Sequence, residues 1–229
     1  NFIDLAQAYE IVFHKIPIDF VNQNWFLENL AKGEKEIYDK FKRISDVLLS
    51  SFLILLTSPL WTIIALLIKL NDKGPIFYKQ ERVGKDRKLF WIWKFRSMLV
   101  DAEKTGVKWA EKDDPRVTKV GKIIRKFHLD ELPQMFNVLK SDISLVGPRP
   151  ERPEFVQKLE KEIPHYHLRH LIKPGFTGWA QVTFAKYARN QKDSHEKFQY
   201  DLYYIKNRAI FLDVGILLKT FQLFFRKGQ

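Results

Sequence analysis

The longest break in the mixed polar and apolar pattern runs from Val47 to Ile68, VLLSSFLILLTSPLWTIIALLI, 22 positions without a charge. A straight helix of that length spans roughly 33 Å, about one bilayer core. The segment therefore reads as a membrane helix in preference to a buried core helix. Ser58-Pro59 stands at its middle. Proline there removes a backbone hydrogen bond and crowds the preceding turn, while a serine hydroxyl can return to the freed carbonyl and stabilise a bend. Both flanks are basic: Lys40, Lys42 and Arg43 precede the segment, and Lys69, Lys73, Lys79 and Arg82 follow it. Positive residues at both ends draw both to the cytoplasmic side. A Pro-kinked, re-entrant helical hairpin over residues 38–70 meets that condition, with an ordinary span as the alternative.

Around this segment the pattern is finer. Residues 1–37 mix apolar and polar positions without clean periodicity, and read as a linker or docking segment left from an upstream region, in keeping with a start at Asn1. IFYKQERVG and KLFWIWKFRSM are alternating aromatic runs separated by GKDR, which predicts a short hairpin. Asp101 to Lys112 reads as helix or loop. VGKIIRKFHLDELPQMFNVLKSD predicts one or two helices broken near Leu129, with Pro133 in a first turn. SLVGPRPERP is a stiff proline-rich loop, FVQKLEKEIPHYHLRHLI a helix interrupted at Pro164, and KPGFTGWAQV a turn with an extended continuation. The last stretch is helical and apolar on one side. Its Phe211, Leu212, Val214, Leu217, Leu218, Phe221, Phe224 and Phe225, with Lys219, Arg226 and Lys227 nearby, suit either an interfacial helix or a core helix. The predicted fold class is mostly α with a short β-hairpin: a monotopic membrane protein with interfacial amphipathic helices. Residues 71–229 would form a cytoplasmic catalytic domain at the membrane interface.

Composition narrows the choices. The chain has 229 residues, 45% hydrophobic and 14% aromatic, enough for a core, so global disorder is excluded. It contains no cysteine, which removes disulfide scaffolds, thiolate metal sites and thiol catalysis together. Lys and Arg number 39 against 27 Asp and Glu, for a net charge of +12, so an anionic partner is expected: lipid, phosphorylated substrate or nucleic acid. No nucleic-acid motif accompanies the charge, and that partner is not expected. GxxxxGK[ST], GxGxxG and G-x-S-x-G are absent, which excludes the corresponding nucleotide-binding and hydrolase readings. His165, His167 and His170 do not share one helical face, so no zinc site is expected.

The candidate chemistry centres on Asp130-Glu131. Thirteen residues just upstream, 115–127, hold Arg116, Lys119, Lys122, Arg125 and Lys126 and no acid. With Pro133 in a first turn, Asp130 would lie near a helix N-cap, where an anionic carboxylate is favoured. Such a group suits a nucleophile toward phosphorus or a magnesium ligand, and equally an ordinary capping residue. In Gly147-Pro148-Arg149-Pro150 two prolines fix the backbone around a fork-shaped donor matched to phosphate oxygens. Lys94 and Arg96 alternate on a predicted strand and could face one anion, or solvent.

Taken together, SPLW, QERVG, KFRSM, DPRVTKVG…R…LDELPQ, SLVGPRP, KPGFTGWAQV and DLYY…LD occur in an order that resembles the bacterial sugar transferase family, the monotopic phosphoglycosyl transferases acting on polyprenyl phosphate. The resemblance covers roughly residues 38–229 and is nearest the exopolysaccharide and O-antigen initiating type. It implies that Asp130 attacks the β-phosphorus of a UDP-sugar, that Glu131 holds Mg²⁺, and that UMP is released. Polyprenyl phosphate, undecaprenyl phosphate in bacteria, then accepts the phosphosugar. Lys94, Arg96, Arg125, Arg149 and Asp201 fall on the expected phosphate-binding side, and Ser58-Pro59 matches the re-entrant kink. The implied location is the inner membrane with the site on the cytoplasmic face; the pattern tilts toward an unmodified hexose and leaves a homo-oligomer open. Ser141 departs from the family, which has glycine there; in a left-handed cap serine costs about 1 kcal/mol. Two rival readings are a metal-dependent glycosyltransferase releasing UDP and a basic peripheral membrane-binding module.

Overall fold

The computed structural model describes residues 5–20, 25, 28–29, 35–102, 114–184 and 191–226, side chains of 191 and 224–226 excepted. Within them the chain is mostly helical, with two small two-stranded sheets. The elements are α1 (Leu5–Phe13), α2 (Glu36–Asn71), β1 (Phe77–Val83), β2 (Leu89–Phe95), α3 (Lys119–Lys126), α4 (Gln134–Lys140), β3 (Ser144–Val146), α5 (Pro153–Glu162), β4 (Gly175–Thr177), α6 (Trp179–Thr183), α7 (Gln191–Asn207) and α8 (Ile210–Arg226). Most of the stretch read as helix or loop at Asp101–Lys112 lies outside the described residues.

The apolar segment is one continuous helix, α2, in place of two arms joined by a turn. Pro59 cannot donate to the carbonyl of Leu55, and Ser58 Oγ donates to that carbonyl at 2.8 Å. Both halves of α2 rest on the same body. From the first half, Arg43 donates to Val138 O at 2.6 Å and Leu139 O at 2.7 Å, carbonyls of the last turn of α4. Asp46 accepts from Leu145 N at 3.0 Å. From the second half, Trp61 meets Phe136 of α4 edge-on at 5.4 Å, and Ile64 and Ile68 pack with Phe95 and Ile124. The outward face of its middle stretch is apolar and exposed, with Leu48, Phe52, Leu55, Leu56, Ile63 and Leu66 all turned outward. It is long and apolar enough to cross a membrane.

The predicted hairpin is present. β1 and β2 pair antiparallel with Phe77 opposite Phe95 and Val83 opposite Leu89, and β2 is pinned to α4 by Asn137, whose amide bonds Trp91 O and Trp93 N at 2.8 and 3.1 Å. β3 and β4 are parallel, Ser144 beside Gly175 and Val146 beside Thr177. The extended continuation expected after Gly175 lasts only those three residues before α6 begins. The final helical stretch breaks at Arg208–Ala209 into α7 and α8. α8 serves two environments. Ile216 is fully buried against Met135 and Tyr204, whereas Val214, Leu218 and Phe221 are exposed and Phe211 is 91% exposed. The side chains of Phe224, Phe225 and Arg226, and Lys227 entirely, lie outside the described residues. Ser141 ends α4 in the left-handed region at φ 71°, as the expected cap, and its hydroxyl bonds Lys173.

The first segment is more than a linker in its described part. α1 is followed by Ile16 and Ile18, which are buried among Leu159 of α5, Ile163 just after it, and Phe198 and Leu202 of α7. Glu10 receives Lys206 and Asn207 at 2.6 and 2.8 Å, which ties α1 to the end of α7.

Candidate active site

α3 begins at Thr118, whose hydroxyl accepts from Gly121 N at 2.8 Å. It ends where His128 adopts left-handed φ 51° and ψ 21°, and the chain turns at once into a 3₁₀ turn, Leu129–Glu131. Asp130 and Glu131 are both buried there. Asp130 is therefore not near the N-cap of α4: Pro133 holds that position, and the dyad sits one turn earlier. The reversal at His128 is what carries the acids inward, beneath β2.

The two carboxylates have unlike surroundings. Glu131 is clasped by two cations. Lys94 Nζ, projecting from β2, reaches Oε1 at 2.9 Å. Arg149 places its fork across the carboxylate, Nη1 at 3.4 Å from Oε2 and Nη2 in close contact with Oε1. Burial alone would lift Glu131, but the charges and hydrogen bonds of Arg149 and Lys94 hold it well below the usual carboxylate range. Asp130 receives no such hydrogen bond among the described residues. Burial, then the adjacent Glu131 charge, push its carboxyl up to about 6 against the pull of Lys94, Arg125 and Arg149. One acid is thus locked as an anion within an ion pair. Its neighbour has no ion-pair partner among the described residues, and has raised proton affinity with three cations nearby. Adjacent acids driven apart in this way divide roles: one organises cations, the other is free to react.

Arg149 comes from the loop between β3 and α5. Prolines at 148 and 150 offer no backbone N–H, so the loop is held through its carbonyls. Pro148 O accepts from Gly175 N at 2.9 Å, Arg149 O from Arg169 at 2.8 Å, Pro150 O from Arg82 at 2.9 Å, and Glu151 O from Val83 N at 3.0 Å. The loop enters through Gly147, which touches Gly175; a Cβ on Gly175 would stand 2.0 Å from Gly147 N, so glycine is required there.

The dyad, a lysine from a strand and an arginine from a clamped proline loop thus meet in one place. The bacterial sugar transferase profile matches residues 37–227, which is most of the chain. The chain belongs to the bacterial sugar transferase family.

Its relatives differ in donor. An Aeromonas hydrophila UDP-N-acetylgalactosamine-undecaprenyl-phosphate N-acetylgalactosaminephosphotransferase is 45% identical over 216 residues, 94% of this chain and 50% of that protein. An Escherichia coli UDP-glucose:undecaprenyl-phosphate glucose-1-phosphate transferase is 42% identical over 183 residues, 78% of this chain and 39% of the relative. A Salmonella typhimurium undecaprenyl-phosphate galactose phosphotransferase is 37% identical over 215 residues, 87% and 43% of the two chains. The chain spans half the length, or less, of these three relatives.

In this chain the residues expected at the phosphates do not all converge. Lys94 and Arg149 meet at Glu131, and Arg125 is half-buried on α3, close enough for its charge to act on Asp130. Arg96, two positions beyond Lys94, turns away to Asp72 at the end of α2, and its guanidinium fills the space over Gly74. Asp201 also stands apart. It is buried behind the proline loop and paired with Arg169 at 3.1 Å, so it faces a cation of the scaffold and not the dyad. Gln80 and Arg82 bond each other, and Arg82 braces Pro150. His128, Glu151, Tyr166, Arg169 and Lys197 were not singled out from the sequence. Glu151 receives Lys197 at 2.7 Å and Arg82 at 3.7 Å, and despite burial these cations and Arg169 hold it down to about 2. A proline-bracketed arginine followed by glutamate was the one available signal, and it points to Arg149 alone.

Among the described residues no three carboxylate or imidazole groups converge as a metal cage. Mg²⁺ ordinarily takes one or two carboxylates and completes its shell with water and substrate phosphates. Asp130 and Glu131 are donors of that kind, with Glu131 at present shared between Lys94 and Arg149.

Proposed function

We propose that this chain transfers a sugar-1-phosphate from a UDP-sugar to polyprenyl phosphate, giving a polyprenyl-diphospho-sugar and UMP, through a phosphosugar-aspartate on Asp130. The observation that carries the reading is the unequal dyad: Asp130, buried and without a hydrogen-bond partner among the described residues, beside Glu131, which two cations clasp. In the first step an Asp130 oxygen forms a bond to the β-phosphorus. The bond from that phosphorus to the bridging oxygen breaks, and the bridging oxygen leaves on UMP. In the second, a phosphate oxygen of the polyprenyl acceptor attacks the same phosphorus and Asp130 leaves as carboxylate. Splitting the transfer lets a soluble anion and a lipid anion use one site in turn.

Arg149, Lys94 and Arg125 supply positive charge where the diphosphate approaches, and Arg149 offers its fork to phosphate oxygens. Mg²⁺, held by Glu131 with Asp130 alongside, would offset the repulsion between the nucleophile and the diphosphate. The relatives divide among glucose, galactose and N-acetylgalactosamine, so the sugar is to be read from a donor panel. The role is the initiating membrane step of exopolysaccharide, capsule or O-antigen synthesis.

The membrane part of the proposal is monotopic. α2 re-enters at the inner membrane, with the active site on the cytoplasmic face where UDP-sugars are dissolved. Its support is that both halves of α2 rest on one body while its outward face is apolar, and that lysines flank both ends. The test is the nucleotide released by purified protein given UDP-sugars, Mg²⁺ and undecaprenyl phosphate. UMP, absent with Asp130→Asn, is the expected result; UDP would mean that only the sugar moves.

A further inference from the structure

The loop that carries Arg149 is held at its carbonyls, and one of the donors grips Arg149 itself. Four consecutive carbonyls, Pro148 to Glu151, each accept a hydrogen bond, two from backbone amides and two from guanidinium groups. The donor to the Arg149 carbonyl is Arg169, in the 3₁₀ turn Tyr166–Leu171, and its side chain is 2% exposed. Three acceptors fix that guanidinium: Arg149 O at 2.8 Å, Asp201 Oδ2 at 3.1 Å, and the Tyr166 hydroxyl on its other nitrogen. Asp201 comes from α7 and is itself only 3% exposed. Because its residue neighbours are prolines, the Arg149 segment has few other ways to be held at this point.

We infer that Arg169, oriented by Asp201 and Tyr166, is a positioning residue that sets where the Arg149 fork points. The inference rests on the phosphate-binding role proposed for Arg149. A buried arginine could instead serve only to neutralise Asp201 and support the fold. The two roles differ in what a lysine can replace. A lysine would neutralise Asp201, but its single ammonium lacks the planar fork that spans Asp201, Tyr166 and the Arg149 carbonyl together. They differ also in additivity. A positioning residue acts through Arg149, so its loss matters less once Arg149 has lost its own fork.

The experiment is a double-mutant cycle on the full chain, reading kcat/KM for the UDP-sugar, with Arg149→Lys, Arg169→Gln and Arg169→Lys, and thermal unfolding followed in parallel. Arg169→Gln is expected to lower kcat/KM at least tenfold in the parent, because an ångström-scale displacement of a phosphate-binding group costs about that or more. In the Arg149→Lys background the same change is expected to cost less than threefold. Arg169→Lys is expected to retain the melting temperature without rescuing turnover. Equal losses in both backgrounds, or full rescue by lysine, would overturn the inference and leave Arg169 a purely structural residue. An Arg149→Lys variant with parental kinetics would instead strike at the phosphate role of Arg149 on which the inference stands. If Arg169→Gln does not fold, Asp201→Asn keeps the side-chain shape, removes the partner charge and enters the cycle in its place, with the same expected non-additivity.

Discussion

Ser58 Oγ donates to the carbonyl of Leu55 at 2.8 Å, the acceptor that Pro59 leaves without its helical partner. The bond lets α2 run through a proline without an open carbonyl on its exposed, apolar side. Ser58→Ala removes it, and a net loss of about 1 kcal/mol is expected, seen as a fall of roughly 2–4 °C in the melting temperature in detergent. Ser58→Thr, which keeps the hydroxyl, should stay near the parent. Equal melting of all three would show that lipid or detergent tolerates the bare carbonyl.

The local signal at Ser58-Pro59 was legible because both partners lie within one helical turn. Glu131 is a different case: it was recognisable as half of an acidic pair, but its clasp was not. Lys94 and Arg149 reach it from 37 and 18 positions away, across a hairpin and a loop. Which of two adjacent acids is paired and which is bare depends on those long-range contacts. Asp201 misled for the same reason: its cation, Arg169, is 32 positions away and buried. Ile16 and Ile18 gave no periodic signal, since they enter the core from an irregular segment and a single 3₁₀ turn. The hairpin, by contrast, was plain in the alternation of its strands and the charged turn between them.

The raised Asp130 carboxyl carries a pH dependence. Below about 6 it is protonated and cannot attack phosphorus; above that it is anionic and competent. kcat/KM, which reports the free enzyme, is therefore expected to climb as pH rises from 5 to 7 and then level. A profile that is flat over this range, or that falls as pH rises, would contradict Asp130 as the free base of the dyad.

His128 pays a local strain to turn the chain into the site, since left-handed φ of 51° disfavours a residue with a Cβ. His128→Gly removes that backbone strain. His128→Val is expected to lose roughly 1–2 kcal/mol, measurable by denaturant unfolding. Similar stabilities for the two variants would mean that the turn relaxes freely, and that the dyad is held inward by other contacts.

The placement of α2 is open to chemical labelling. The sequence has no cysteine, so single cysteines at Lys40 and Lys73, both exposed at opposite ends of the apolar run, report without background. A membrane-impermeant maleimide should reach both from the cytoplasmic side and neither from the other. Labelling from opposite sides would establish a true span and remove the re-entrant topology.

The central claim is that Asp130 becomes covalently joined to phosphorus. The most direct measurement uses a UDP-sugar labelled at the β-phosphorus, given to purified protein with Mg²⁺ and no lipid acceptor. The account expects label on the protein, localised to Asp130 by mass spectrometry, together with a matching burst of UMP. Added undecaprenyl phosphate should discharge the label into lipid, and Asp130→Asn should show neither label nor burst. Lipid product formed at full rate without a labelled protein, or by the Asp130→Asn variant, would contradict it.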